Sequence, residues 1–218
     1  MANSKRVDAL LHPHLEDTIG RLVDNFRAIS PERKQILHDF AGFVTEKARK
    51  SEEVKLVFIC THNSRRSHIS QIWAQTAAVY FGVENVYTYS GGTEESAFNA
   101  RAVRAMREAG FTINARSNGG NPRYEIIISS NSPALWVYSK KYNCEANPTQ
   151  GFAAILTCSH ADLNCPIISG AEKRISLPYD DPKEFDGTSS EEIMSSEKVN
   201  EIGTDILYAF SKVKSGGE

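Results

Sequence analysis

The chain has 218 residues, 40% of them hydrophobic and 24% charged, and a formal net charge of −2 from 25 Lys+Arg against 27 Asp+Glu. This is ordinary globular composition, and a chain of this length buries roughly 70% of its unfolded surface without a metal or disulfide staple. The charge balance excludes a polybasic nucleic-acid coat or an acidic tail as the main theme, and no apolar run approaches the ~18 residues of a membrane span. Residues 1–17 lack the continuous apolar core of a secretory leader, and Cys60, Cys144, Cys158 and Cys165 do not form the dense framework of a small secreted domain. A cytoplasmic, reducing setting is therefore expected, where cysteines more often serve catalysis or metal binding than stapling.

Residues 1–52 are expected to form a helical extension. Leu15, Ile19, Leu22, Val23 and Phe26 suggest one amphipathic helix; Ile36, Leu37, Phe40, Phe43 and Val44 define a second after the start signal Ser30-Pro31. Such helices cannot bury their faces alone and must pack on the main body or on a partner. The charged run at 47–53 marks the boundary with a second unit, 53–218. There, residues 54–59 predict a buried strand, 67–81 a helix, 86–90 a strand ended by Gly91-Gly92, and 97–110 a helix. Residues 117–124 read as loop, 125–129 as strand and 133–142 as helix. Strands at 153–157 and 174–177 follow, then a closing helix at 191–213. Strands alternating with helices argue an α/β fold with a mostly parallel sheet.

The chemistry concentrates in Cys60-Thr61-His62-Asn63-Ser64-Arg65-Arg66-Ser67, between a predicted buried strand and a predicted helix. A turn of that kind aims successive backbone N–H groups at one point, and the helix dipole adds positive potential there. The same field favours the thiolate of a cysteine at its start, making Cys60 a nucleophile. The planar fork of Arg66 can hold two oxygens of a tetrahedral anion, and Ser67 can donate a hydrogen bond to the thiolate. The loop as a whole, Thr61, His62, Asn63, Ser64, Arg65 and Ser67 included, is the candidate substrate-binding cradle.

This Cys-x5-Arg-Ser loop after the first strand resembles the low-molecular-weight protein tyrosine phosphatases, a family whose fold also hosts the thioredoxin-coupled arsenate reductases. The resemblance covers about residues 54–213. It implies a three-layer, flavodoxin-like α/β core, with residues 117–150 an insertion carrying Trp136, Tyr138, Tyr142 and Cys144. It also implies a general acid in the Asp-Pro loop Leu177-Pro178-Tyr179-Asp180-Asp181-Pro182, which makes Asp181 the match. The stretch Cys158-Ser159-His160-Ala161-Asp162-Leu163-Asn164-Cys165-Pro166 is similar to the cysteine pair of the arsenate reductases. Read from the residues alone, the pair could instead be metal ligands or two inert buried thiols; only His160 lies nearby to complete a zinc set.

The resemblance implies arsenate reduction by a Cys60/Cys158/Cys165 relay served by a thioredoxin-like reductant. The alternatives are phosphomonoester hydrolysis, with phosphotyrosine a substrate, through a Cys60 phosphocysteine, and a non-catalytic phosphate-binding or redox-sensing module. No nucleic-acid or membrane partner is implied. No cofactor is expected beyond a potassium ion of the kind these reductases bind; Asn63 and Ser90 match two of its positions, and Gln71 stands where the family has Glu. His62 stands where the family usually has Gly. A continuous helix from residue 158 to 165 would hold the two Cα atoms about 10 Å apart, beyond disulfide reach, so that segment must be a loop or must unwind on oxidation.

Overall fold

The structure, a computed structural model, describes residues 11–164 and 167–214. Its centre is the strand β1 (Val54–Cys60), buried at every position but Lys55. Its side chains alternate: Leu56 and Phe58 join the large core, whereas Val57 and Ile59 face a smaller cluster with Cys60 and Cys158. That is the period of two expected of a strand covered on both faces. β2 (Val86–Gly92), β6 (Phe152–Leu156) and β7 (Ala171–Ser176) complete a four-stranded parallel sheet in the order β2-β1-β6-β7. Its carboxyl ends carry Cys60, Gly92 and the turns after Leu156 and Ser176, which is where open α/β sheets place their ligands.

Helix α3 (Arg66–Phe81) follows β1 and ends on Gly82, whose φ of +66° suits a residue without a Cβ. Helix α4 (Ala100–Glu108) starts later than the expected residue 97, because the side chain of Asn99 accepts from the amides of Arg101 and Ala102 and so fixes the N-terminus there. The closing helix α6 (Glu191–Ser211) packs against α3, α4 and two N-terminal helices. These are α1 (Pro13–Asp24), followed by a 3-10 turn, and α2 (Pro31–Arg49), where Ser30 Oγ accepts from the amide of Arg33. Leu15, Ile19, Leu37 and Phe40 are fully buried in the same core as β1 and α6. No helix among the described residues is long and apolar enough to cross a membrane.

Two expectations are corrected. Residues 133–142 are not helical: β5 (Leu135–Val137) pairs antiparallel with β4 (Tyr124–Ile127), which pairs with β3 (Thr112–Ala115), in a separate small sheet. Trp136 and Tyr138 are two apart, the strand period, and Val137 is buried while Trp136 is 52% exposed, so Trp136 is not core. β3 was not expected; it is four residues long and depends on its partner strand for definition. In addition, a short helix α5 (Ser159–Asn164) spans most of the cysteine-pair segment, and Cys165 lies outside the described residues.

The packing of α6 on α1 and α3 turns on Gly203. A Cβ there would lie 2.7 Å from the indole of Trp73 and 2.8 Å from Leu22. Trp73 cannot retreat easily, because its indole N–H donates to the Val199 carbonyl at 3.0 Å. Gly203→Ala is therefore expected to destabilise by about 1–2 kcal/mol in urea unfolding, overpacking outweighing the helix propensity gained; an unchanged or raised midpoint would contradict this packing.

Candidate active site

The turn between β1 and α3 is held from outside by its own carbonyl groups. Those of Cys60 and Thr61 accept from the amides of Thr93 and Glu94, that of Ser64 accepts from Asn99, and that of His62 accepts from the hydroxyls of Ser96 and Ser139. In trans peptide units each following N–H points the opposite way, so the amides of the turn face inward. Asn63 shapes the bend. It is fully buried with φ of +44°, a conformation asparagine tolerates better than most residues. Its Nδ2 donates to Ser67 Oγ at 2.9 Å and its Oδ1 accepts from the Lys140 amide at 2.8 Å. Ser67 Oγ lies 3.1 Å from Cys60 Sγ. Since this oxygen already accepts from Asn63, its hydrogen is free for the cysteine sulfur.

Cys60 is 3% exposed and forms the floor of a cleft of about 330 Å³ whose walls include Arg65, Arg66, Asn99, Asp181 and Asp186. Arg66 donates from Nη1 to the Tyr179 carbonyl at 2.9 Å and from Nη2 to Asp181 Oδ2 at 2.7 Å. Arg65 reaches Asp181 Oδ1 at 3.5 Å and pairs with Asp186. Both arginines thus already hold a carboxylate, and an incoming oxyanion competes with Asp181 for Arg66. His62 is half exposed at the mouth, 3.6 Å from Glu94.

Cys158 lies beyond the end of β6, the strand beside β1, and is buried with Cys60 in one apolar cluster. Thr61 Oγ1 is 3.5 Å from Cys158 Sγ and 3.3 Å from His160 Nδ1. The Ala161 amide donates to Cys158 Sγ, so the thiol caps α5. Asp162 ties that helix to β7 through Arg174 and Ser176. Cys165 lies outside the described residues. Of the predicted site, the structure therefore brings together Cys60, the turn from Thr61 to Ser67, Asp181 and Cys158.

Several neighbours had weaker signals or none. Gly91-Gly92 reads as a strand end, but a Cβ on Gly92 would sit 2.6 Å from the Thr61 carbonyl and 2.7 Å from the Asn63 nitrogen, so it permits the close approach of two backbones. Ser96, Ser139 and Lys140 are too far away in sequence to be found by spacing. Lys140 is 6% exposed, and burial pushes its amine down to about 8. It lines one cavity with Gln71, and no Asp or Glu lines that cavity. Of the residues expected to hold a potassium ion, Gln71 Oε1 and Ser90 Oγ are buried with no hydrogen-bond partner among the described residues, as oxygens facing a cation would be, whereas Asn63 Oδ1 accepts from the Lys140 amide and Gln71 brings no charge.

No family model matches the chain. Two curated relatives are an arsenate reductase of Staphylococcus aureus strain Newman, 29% identical over 127 residues, and an arsenate reductase 2 of Staphylococcus epidermidis, 28% identical over 127 residues. Each match covers 58% of this chain and 77% of the relative. Among solved structures, a YwlE mutant from Bacillus subtilis superposes with a TM-score of 0.50 at 15% identity, covering 73% of this chain and 97% of the other, a likeness of fold. The chain is thus similar in sequence to arsenate reductases and in fold to YwlE. It is an enzyme similar in sequence to arsenate reductases, and its Cys-x5-Arg turn sits at the carboxyl end of the central strand.

The helix that carries the turn contains His68, fully buried with its ring 4.5 Å from that of Phe98. Burial, reinforced by the Lys140 charge, pushes its imidazole down to about 3. The folded state thus holds it neutral while the unfolded state protonates near 6.5. The stability this contributes is complete above about pH 6.5 and is lost as pH falls toward 3, at up to about 1.4 kcal/mol per pH unit. Urea unfolding from pH 7 to 4 should show that slope in the wild type and a shallower one in His68→Leu; equal slopes would contradict it.

Proposed function

We propose that this enzyme reduces arsenate to arsenite by a relay through Cys60, Cys158 and Cys165. The observation that carries the reading is that Cys60 ends β1 and Cys158 lies just beyond the neighbouring parallel strand β6, both in one buried cluster, with Thr61 Oγ1 3.5 Å from Cys158 Sγ. Arsenate enters on the inward amides and Arg66. The Cys60 thiolate attacks arsenic, an As–S bond forms, and the departing oxygen takes a proton from Asp181. The Cys158 thiolate then attacks the Cys60 sulfur. The S–S bond forms as the As–S bond breaks, and its electron pair passes to arsenic, which leaves as arsenite. Cys165 attacks Cys158, freeing Cys60 and leaving a Cys158–Cys165 disulfide for a thioredoxin-like dithiol to reduce.

Two features support the later steps. Cys158 gives up the Ala161 amide when it attacks, and α5 has only six residues to unwind. Leu163 and Ile167 flank Cys165 in sequence and are 79% and 86% exposed, an apolar pair that suits a protein reductant. A relay reset by a dithiol also suits a reducing, cytoplasmic compartment.

The second reading is phosphatase action, favoured by the Arg66–Asp181 pair beside Cys60, which needs neither Cys158 nor Cys165. Cys60 would form a phosphocysteine on a phosphomonoester such as phosphotyrosine, and Asp181 would then activate water.

Anaerobic incubation of reduced protein with arsenate, followed by thiol trapping and disulfide mapping, separates the two. A Cys158–Cys165 bond formed only with arsenate and only with Cys60 intact is the expected result, with faster amide exchange over 158–164 after oxidation. Cys158→Ser and Cys165→Ser should lose arsenate turnover and retain hydrolysis of an aryl phosphate. Free thiols throughout, or arsenate turnover by Cys158→Ser, would refute the relay.

A further inference from the structure

We propose that Arg33, on the N-terminal helix α2, is a positioning residue for the general-acid loop; this rests on the reading of Cys60 as nucleophile and Asp181 as acid. Arg33 touches none of the reacting groups. Its Nε donates to Asp205 Oδ2 of α6 at 2.8 Å, and its Nη1 donates to the Pro178 carbonyl at 3.0 Å. Its guanidinium carbon lies 4.4 Å from the centroid of the Tyr179 ring, which is 4% exposed. The carbonyl of that same Tyr179 holds Arg66 Nη1, whose other nitrogen holds Asp181. An unbroken series of contacts thus runs from α2 through Pro178-Tyr179 to both arms of the Arg66 fork.

The loop needs this support. Its backbone is tied to Leu156 at the end of β6 and to Thr157 just beyond it through the amides of Leu177 and Tyr179, and the local contact around the acid is the Lys183 amide on Asp181 Oδ1. On the side of α1, residues 178–180 border a cavity of about 710 Å³ instead of packed side chains. Arg33 crosses that gap. Burial opposes its charge, but Tyr179 and Asp205 more than offset this and hold the guanidinium firmly protonated. Asp205 in turn fixes the fork from α6, so the guanidinium is anchored at one edge and grips the loop with the other. A planar fork does both at once, and a lysine amine cannot.

A general acid works only within hydrogen-bond reach of the departing oxygen, so a loosened loop slows the transfer of phosphate to Cys60 only where the leaving group needs the proton. That step is read by kcat/KM; kcat also contains hydrolysis of the phosphocysteine, which both esters share. The test compares phenyl phosphate, a poor leaving group, with 2,4-dinitrophenyl phosphate, whose phenolate leaves unprotonated. Arg33→Met should lower kcat/KM about 10-fold on phenyl phosphate and less than about twofold on the dinitrophenyl ester. Arg33→Lys, which keeps a charge for Asp205 and so guards against simple misfolding, should lie between. On an Asp181→Asn background, Arg33→Met should have no further effect. Equal losses on both esters, a further loss in the double variant, or wild-type turnover of phenyl phosphate in Arg33→Met would overturn the proposal. If Asp181→Asn itself turns over phenyl phosphate normally, or the wild type hydrolyses neither ester, the acid and nucleophile reading fails and the positioning role falls with it.

Discussion

The site depends on one buried side chain, Asn63. A cradle for an anion requires that several successive N–H groups point inward, and the chain must bend to do this without burying unsatisfied polar groups. Asn63 supplies the left-handed bend and uses both ends of its amide to fix it, to Ser67 within the turn and to the Lys140 backbone across from it. Its contact with Ser67 takes one lone pair of that hydroxyl and leaves its hydrogen available to the Cys60 sulfur 3.1 Å away. Gly92 lets the neighbouring strand approach the turn closely enough for its carbonyls to be used up on the outer side.

Around that turn the charges are arranged in competition. Arg65 and Arg66 face Asp181 and Asp186, so the cleft is not a bare cationic hole. Under the proposed reading, a bound oxyanion competes with Asp181 for Arg66, so binding the anion and freeing the acid are one exchange. The N-terminal helices enter this arrangement through Arg33, and α6 serves as the common backing for α1, α2 and α3.

The Cys-x5-Arg-Ser turn was legible because its chemistry is local: strand, turn and helix are contiguous, and hydrophobic patterning alone places Cys60 at the junction. The parallel strands were legible for the same reason, as short apolar runs with clear breaks. What failed was non-local. Residues 133–142 read as helix because Tyr138 and Tyr142 stand at helical spacing, and only pairing with β4 makes a three-residue strand definite. Lys140, Ser139 and Gly92 reach the turn through tertiary contacts that no spacing encodes. The two ends of the Arg33 contact are 145 residues apart and carried no motif.

The central claim is that the turn at Cys60 binds a tetrahedral oxyanion against the cysteine sulfur. The direct measurement is the rate at which iodoacetamide alkylates Cys60, followed by peptide mass spectrometry, with and without inorganic phosphate. The account predicts saturable protection of Cys60 in the wild type, lost in Arg66→Ala, with the alkylation of Cys144 unaffected by phosphate. Alkylation of Cys60 at one rate at every phosphate concentration would contradict it.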